Sequence, residues 1–183
     1  ESSPQLKLQA YGKTNEGRLL QLAFISTEEN LKNLESIRTA HLQNSGVIPG
    51  PKNNDKAVVW LSYNVHGNES SSTEAAMKTS YALITKYSDW LKDTVVIIDP
   101  CINPDGRDRY VNLYNQIKST PNDTQPFTRE HREGWHNGRT NHYSFDLNRD
   151  WAWLTQVESQ QRIKKYNQWL PHIHVDFHEQ GIN

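Results

Sequence analysis

The stretch Ala57-Val58-Val59-Trp60-Leu61-Ser62-Tyr63-Asn64-Val65 runs directly into His66-Gly67-Asn68-Glu69. Nine residues rich in β-branched and aromatic side chains predict a strand buried inside a sheet. The polar residues at its end predict a ligand site, because open α/β sheets place ligands where strand ends give way to loops. Downstream, residues 74–87 predict a helix with Ala75, Ala82 and Leu83 among its core positions. Residues 94–98 (TVVII) predict a second buried strand, apolar throughout and so covered on both faces. Upstream, residues 6–10 and 18–25 read as strands joined by a turn at 12–17. Ser26-Thr27-Glu28-Glu29 has the S-x-x-E form of a capping box, opening a helix to about His41 with Leu31, Leu34 and Ile37 on one face. Residues 46–55 form a Pro/Gly/Asn loop.

From Asn103 to about Trp151 apolar periodicity disappears, which predicts a long functional loop. Phe127, Trp135, Tyr143, Phe145, Trp151 and Trp153 argue against disorder there. Thr155-x-x-Glu158 then predicts a capped helix to about Trp169, ended by Pro171, and residues 172–177 (HIHVDF) a further strand. Alternating strands and helices specify an α/β fold: a mixed central β-sheet with helices on both faces. The 183 residues are expected to form a single domain, incomplete at its C-terminal side.

Composition excludes several classes. Twenty basic and 21 acidic residues leave a net charge of −1, so no field of one sign exists to attract nucleic acid or an anionic membrane. No apolar run approaches the ~20 residues of a membrane span. The lone cysteine, Cys101, excludes an internal disulfide framework and a Cys-rich zinc module. The chain starts at Glu1 and carries one methionine, Met77, as a processed or cut chain would. A removed signal peptide would fit, and with it a secreted or periplasmic protein. At the other end the chain stops at Ile182-Asn183, just past a dense polar cluster, and more protein is expected to follow.

Three groups of residues carry chemistry. His66 and Glu69 are three apart, and Gly67 permits a sharp turn that lets them converge. With a third ligand they make an open zinc site of His/Glu/His type. His174 and His178 are the candidates for that third ligand; the strand-end position favours His178. The third group is Asp146-Leu147-Asn148-Arg149-Asp150-Trp151. Arg149 offers a planar fork for a carboxylate and Asn148 an amide donor. Asp146 could hold a histidine ligand in the right tautomer. Arg139 is a further cation in the same loop, as are Arg129 and Arg132. The remaining features have plain readings. Cys101 is a small packing residue or a semi-exposed thiol, His131, His136 and His142 are exposed or hydrogen-bonded, and the sequon Asn68-Glu69-Ser70 is discounted because a glycan would obstruct the metal site.

In order and approximate spacing, these motifs resemble the M14 family of zinc carboxypeptidases. They are His66-x-x-Glu69, Asn103-Pro-Asp-Gly106, Arg139, Asp146-x-Asn148-Arg149-x-Trp151 and Asp176-Phe-His178. Tyr11-Gly-Lys-Thr-Asn-Glu-Gly-Arg18 is similar to the family's first hairpin, so the resemblance extends from about Tyr11 to Gly181. It implies that His66, Glu69 and His178 hold Zn²⁺ with a water in the open position. Arg139 would stabilise the developing oxyanion, and Asn148 and Arg149 would bind the free C-terminal carboxylate of a peptide substrate. The family's general-base glutamate lies well beyond its third ligand, at a position this chain does not contain. The 183 residues alone are therefore expected to be inactive. Two other functions share the pattern: a zinc-dependent deacylase of acylated amino acids, and a non-catalytic module that binds C-terminal carboxylates.

Overall fold

A computed structural model describes residues 3–53 and 55–180. Its strands are β1 (Leu6–Lys13), β2 (Leu19–Ile25), β3 (Ala57–Tyr63), β4 (Thr94–Asp99) and β5 (Ile173–Phe177). They form one mixed sheet in the order β1-β2-β4-β3-β5. β1 and β2 form an antiparallel hairpin, closed by bonds from Thr14 N to Arg18 O (2.9 Å) and from Gly17 N to Thr14 O (3.0 Å). Gly17 takes φ +82° in that turn, a region that costs glycine nothing. β2 runs antiparallel to β4, while β3 is parallel to both β4 and β5.

The helices are α1 (Glu28–Lys32), α2 (Leu34–Asn44), α3 (Ser71–Thr85), α4 (Pro104–Ile117) and α5 (Val157–Trp169). Leu31, Ile37 and Trp169, from α1, α2 and α5, pack on one face of the sheet against Leu22, Phe24, Val58, Trp60, Val95 and Ile97. Ala76 of α3 and Leu91 pack on the other, against Ala23, Ile25, Tyr63, Val96 and Ile98. Alternate residues of β2 and β4 thus enter two different cores, which is why neither strand shows a polar face. The result is the expected mixed sheet covered on both faces. β5 is the edge strand on that side, and it leaves Ile173 56% exposed, with Val175 and Phe177 also exposed. No helix among the described residues is long and apolar enough to cross a membrane.

Several local expectations are corrected. The helix expected from Ser26 is two helices, broken at Asn33, and its cap is Thr27, whose side chain accepts from Asn30 N. Ser26 is fully buried: its hydroxyl faces Leu91 O and Thr94 O, and its oxygen accepts from Asn30 Nδ2 instead of a helix N–H. Thr155 does not cap α5 either: its oxygen accepts from Gln156 Nε2, its hydroxyl donates to Asp150 Oδ1, and Gln156 occupies the cap position. β3 stops at Tyr63, not Val65, because Asn64 turns the chain with φ +56°. α3 starts three residues early, and Ala76, not Ala75, is its buried alanine.

The largest correction lies in residues 103–151, where α4 occupies 14 residues of the expected loop. Asn103 caps it, accepting from Gly106 N, and Pro104 takes the first helical position, where its missing N–H costs nothing. The chain beyond α4 is irregular but anchored by buried polar groups. Glu130 accepts from Ser119 N and Asp123 N, and Asp150 from Thr155 N and Gln156 N. Of the six aromatics expected to order this segment only Trp151 packs, under Arg162; Trp135 is 89% exposed, and Phe127, Tyr143, Phe145 and Trp153 are also exposed.

Candidate metal centre

The C-terminal ends of the parallel strands β3, β4 and β5 open on the same side, and the chemistry gathers there. Asn64 makes the first turn. Its side-chain amide donates to His66 O and Glu69 O, both at 2.8 Å, folding residues 64–69 back on themselves. Asn tolerates the left-handed region better than most residues, and here its side chain also satisfies two carbonyls. His66 is 2% and Glu69 8% exposed. His178 lies one residue past β5, the strand that pairs with β3 at the edge of the sheet.

This arrangement brings His66 Nδ1 to 2.7 Å from Glu69 Oε1, and His178 Nδ1 to 3.2 Å from Glu69 Oε2. One ligand atom from each of the three residues falls within 4.8 Å of the others. Around a tetrahedral zinc with bonds of about 2.0–2.1 Å, ligand atoms stand about 3.3 Å apart. Two imidazole nitrogens and a carboxylate at this spacing fit zinc in charge, softness and size. His174, the other candidate for third ligand, points elsewhere: its Nε2 pairs with Ser62 Oγ at 2.9 Å. Among the described residues, His66, Glu69 and His178 form the group with metal-ligand spacing.

Around these three stand the other predicted residues. Asp146 Oδ1 lies 2.9 Å from His66 Nε2, and Asp146 Oδ2 accepts from Arg139 Nε and Nη2 at 3.2 and 3.1 Å. Burial pushes the Asp146 carboxyl up, but the Asn148 N–H, His66 and Arg139 outweigh it and hold the group below its ordinary value. It stays an anion facing an imidazole. Arg139 Nη1 reaches 3.9 Å from Glu69 Oε1, so its half-exposed guanidinium borders the centre. Arg132, in the same segment, lies instead over the Phe127 ring. Asn148 Nδ2 is 3.5 Å from His178 Nε2, and Arg149 is exposed, donating to Asn148 O. The carboxylate of Glu179 is bound by the Ser71 N–H and hydroxyl, and so turns away from the centre. Gly181 lies outside the described residues.

The roles that sequence reasoning missed are those of the residues that hold the loops together. Asn103 Nδ2 donates to Arg139 O, and Arg109 Nη1 and Nη2 donate to Asn137 O, Thr140 O and Asn141 O. α4 thus positions the segment that carries Arg139. The Asn103-Pro104 pair, an N-cap followed by a first-turn proline, was the available signal. Cys101 donates to Asn64 Oδ1, and burial pushes its thiol up to about 12, so it packs and does not react.

Gly67 has a different role from the one expected. It is Asn64 that takes a positive φ; Gly67 is needed for close approach. A Cβ on Gly67 would sit 2.2 Å from Arg107 N and 2.3 Å from Gly106 C, both backbone atoms. Gly106 and Gly138 meet in the same way, with Gly138 O 2.4 Å from a Cβ on Gly106. Gly67→Ala is therefore expected to push the His66–Glu69 turn off α4. The stability loss should be about 1–3 kcal/mol, the usual cost of overpacking. Denaturant unfolding would measure it, and an unchanged midpoint would refute the close-packing reading.

A sequence model of the zinc carboxypeptidase family (Peptidase_M14) matches residues 1–172. The match takes in His66, Glu69, Arg139, Asn148 and Arg149 and stops short of His178. No curated protein gives a significant match. Among solved structures, the chain is similar to the carboxypeptidase A of Helicoverpa armigera, with 18% identity and a TM-score of 0.64 over 97% of this chain and 42% of that one. A metallo-carboxypeptidase from Burkholderia cenocepacia has 18% identity and a TM-score of 0.58, over 97% of this chain and 37% of that one. Bovine thrombin-activatable fibrinolysis inhibitor has 14% identity and a TM-score of 0.57, over 97% and 54%. At such identities the likeness is one of fold, and the chain spans well under two thirds of the length of each.

Proposed function

The chain belongs to the M14 family of zinc carboxypeptidases, and from that premise we propose that its site serves zinc-dependent removal of the C-terminal residue of a peptide. Residues 1–183 are taken as a single metallocarboxypeptidase-like domain. The observation that carries the proposal is the convergence of two imidazole Nδ1 atoms on the two oxygens of one buried carboxylate, at the open ends of β3 and β5. His66, Glu69 and His178 would hold the zinc. Bound there, the metal would supply Lewis-acid polarisation of a carbonyl and a water of lowered pKa.

The chain's own residues would do the rest. Asp146, kept anionic, accepts from His66 Nε2–H and so leaves Nδ1 as the ligand atom. Arg139 borders Glu69, and its half-exposed guanidinium would face negative charge developing on a carbonyl oxygen. Arg149, exposed and with most of its fork free of protein acceptors, would take the terminal carboxylate together with the Asn148 amide. Holding that carboxylate places the last peptide bond over the centre. The general base of this chemistry is not supplied by Glu179, which Ser71 binds. The 183-residue chain is therefore expected to bind substrate but not turn it over. Zinc-dependent release of a C-terminal amino acid by the purified chain would overturn that expectation.

The direct test is calorimetric titration of the zinc-loaded chain with an N-blocked dipeptide and with its C-terminal amide. Hydrogen bonds to charged groups contribute about 1.5–3 kcal/mol, so the amide should bind about 10- to 150-fold more weakly. Arg149→Ala should weaken the acid by a similar factor and leave the amide unaffected. Equal affinity for acid and amide would remove the carboxylate reading. Binding of the acid that persists after zinc removal would point instead to a non-catalytic module.

A further inference from the structure

His66 and His178 are held very differently by their surroundings. His66 is enclosed, with Nδ1 on Glu69 and Nε2 on Asp146, which is backed in turn by Arg139. His178 sits at an open edge with 30% of its side chain exposed. Something must nonetheless turn its Nδ1 toward Glu69. Its Nε2 lies 3.0 Å from Asp176 Oδ2. Residues i and i+2 leave a strand on the same side, so the Asp176-Phe177-His178 spacing places that carboxylate beside the ring.

Asp176 is itself tied into the sheet. Ser62 of β3 pairs in register with Asp99 of β4 on one side and Asp176 of β5 on the other, so the three form a row across the sheet. Arg162 of α5 lies over this face, 1% exposed, with its guanidinium 3.8 Å from the centre of the Trp151 ring. Among the described residues none of its three nitrogens has a hydrogen-bond partner, and the same is true of Asp176 Oδ1 and Asp99 Oδ1. A buried guanidinium survives only beside negative charge. Tyr11, Asp99, Asp176 and Asp150 are the acidic groups whose fields act on it. Of these, Tyr11 gives its hydroxyl to Asp99, and the Asp150 oxygens are taken by Thr155 and Gln156. Asp99 and Asp176 remain, each with one buried oxygen that has no partner among the described residues.

We propose that Asp176 is a positioning residue for His178: its carboxylate accepts from Nε2–H, leaves Nδ1 free to ligate, and is held in place by the buried charge of Arg162. The centre would then have two supports: Asp146, hydrogen-bonded to Arg139, behind His66, and Asp176, near the buried Arg162 but without a hydrogen bond to it, behind His178. The proposal rests on the reading of His66, Glu69 and His178 as zinc ligands, and it assigns roles to two residues outside that set.

The test is zinc affinity by competition with a chromophoric chelator, for wild type, Asp176→Ala, Asp176→Asn and Arg162→Met. Circular dichroism and metal-free denaturant unfolding establish that each variant is folded. Loss of a residue supporting a ligand lowers metal affinity by about 10- to 100-fold, and Asp176→Ala should fall in that range. Asp176→Asn keeps an acceptor oxygen and should recover part of the loss. In the Co²⁺-loaded chain, Asp176→Ala should shift the visible d–d bands, which a purely structural role would leave in place. A folded Asp176→Ala with wild-type affinity and an unchanged cobalt spectrum overturns the proposal. Asp176→Asn, nearly the same shape, decides the matter if the alanine variant does not fold: affinity and bands equal to wild type overturn the proposal there too. A wild-type chain that takes up no zinc overturns the metal reading, and this proposal with it.

Discussion

Zinc at a hundred times its dissociation constant is expected to raise the unfolding free energy of the chain by about 2.7 kcal/mol, and His66→Ala to abolish the gain. The reasoning is linkage. The three ligand atoms are brought together only by the fold: His178 and Glu69 are 109 residues apart in sequence. A site absent from the unfolded chain converts binding free energy into stability. In a domain of this size each kcal/mol moves the melting temperature by about 2–4 °C, so the midpoint should rise by about 5–11 °C. His66→Ala removes the ligand most enclosed by its neighbours, with Asp146 and Glu69 on its two nitrogens. The metal-free variant should also lose stability, because Asp146 and Glu69 lose a hydrogen-bonding partner each. Paired thermal melts with and without zinc, with equilibrium dialysis for stoichiometry, make the measurement. A folded wild-type chain that takes up no stoichiometric zinc, or a His66→Ala variant with unchanged zinc content, would sink the ligand assignment.

The second large effect concerns pH, and it comes from Asp99. This residue is fully buried at the end of β4, and burial pushes its carboxyl up to about 7, against the opposing Tyr11 hydrogen bond and the field of Arg162. A carboxyl whose pKa is higher in the folded than in the unfolded chain binds its proton more tightly when folded. Its contribution to stability is then complete below the unfolded value near 3.8 and is lost as pH rises through about 7. That interval corresponds to about 4 kcal/mol at 1.36 kcal/mol per pH unit. Other groups titrate nearby. Burial lowers His172 and His174, which gives a slope of opposite sign as pH rises toward 6.5. The informative quantity is therefore the difference between wild type and Asp99→Asn, in which the histidines cancel. In metal-free urea unfolding, the wild-type advantage over Asp99→Asn should shrink steadily between pH 4 and pH 7 and then level off. Parallel profiles across that range would show that Asp99 does not change its protonation on folding.

Much of the architecture was legible because its causes are local. Apolar runs at 57–65 and 94–98 mark strands covered on both faces, and the structure places β3 and β4 at the middle of the sheet. His66 and Glu69 stand out because three residues beyond a strand end are enough to bring them together. Local signals failed where a distant group claimed the same atom. Ser26 and Thr155 both have the form of helix caps, yet Leu91, Thr94 and Asp150 take their hydroxyls. α4 was missed although Asn103-Pro104 announces it and Tyr110, Leu113, Tyr114 and Ile117 keep helical spacing, because that apolar set is confined to its second half within a mostly polar segment.

By itself, then, the chain's order of residues determined which segments form strands, the His66/Glu69 half of the centre and the resemblance to a family. Strand-end position already favoured His178 over His174; tertiary structure alone decided that Arg139 borders Asp146, and that Asp99, Asp176 and Arg162 share a buried face. The physical reason is reach. Helix and strand periodicities act over a few residues, whereas these groups meet through the register of β3 with β4 and β5, which places Ser62 between Asp99 and Asp176. Buried charge is equally invisible in sequence, because Asp and Arg are mostly solvated and only packing reveals the exceptions.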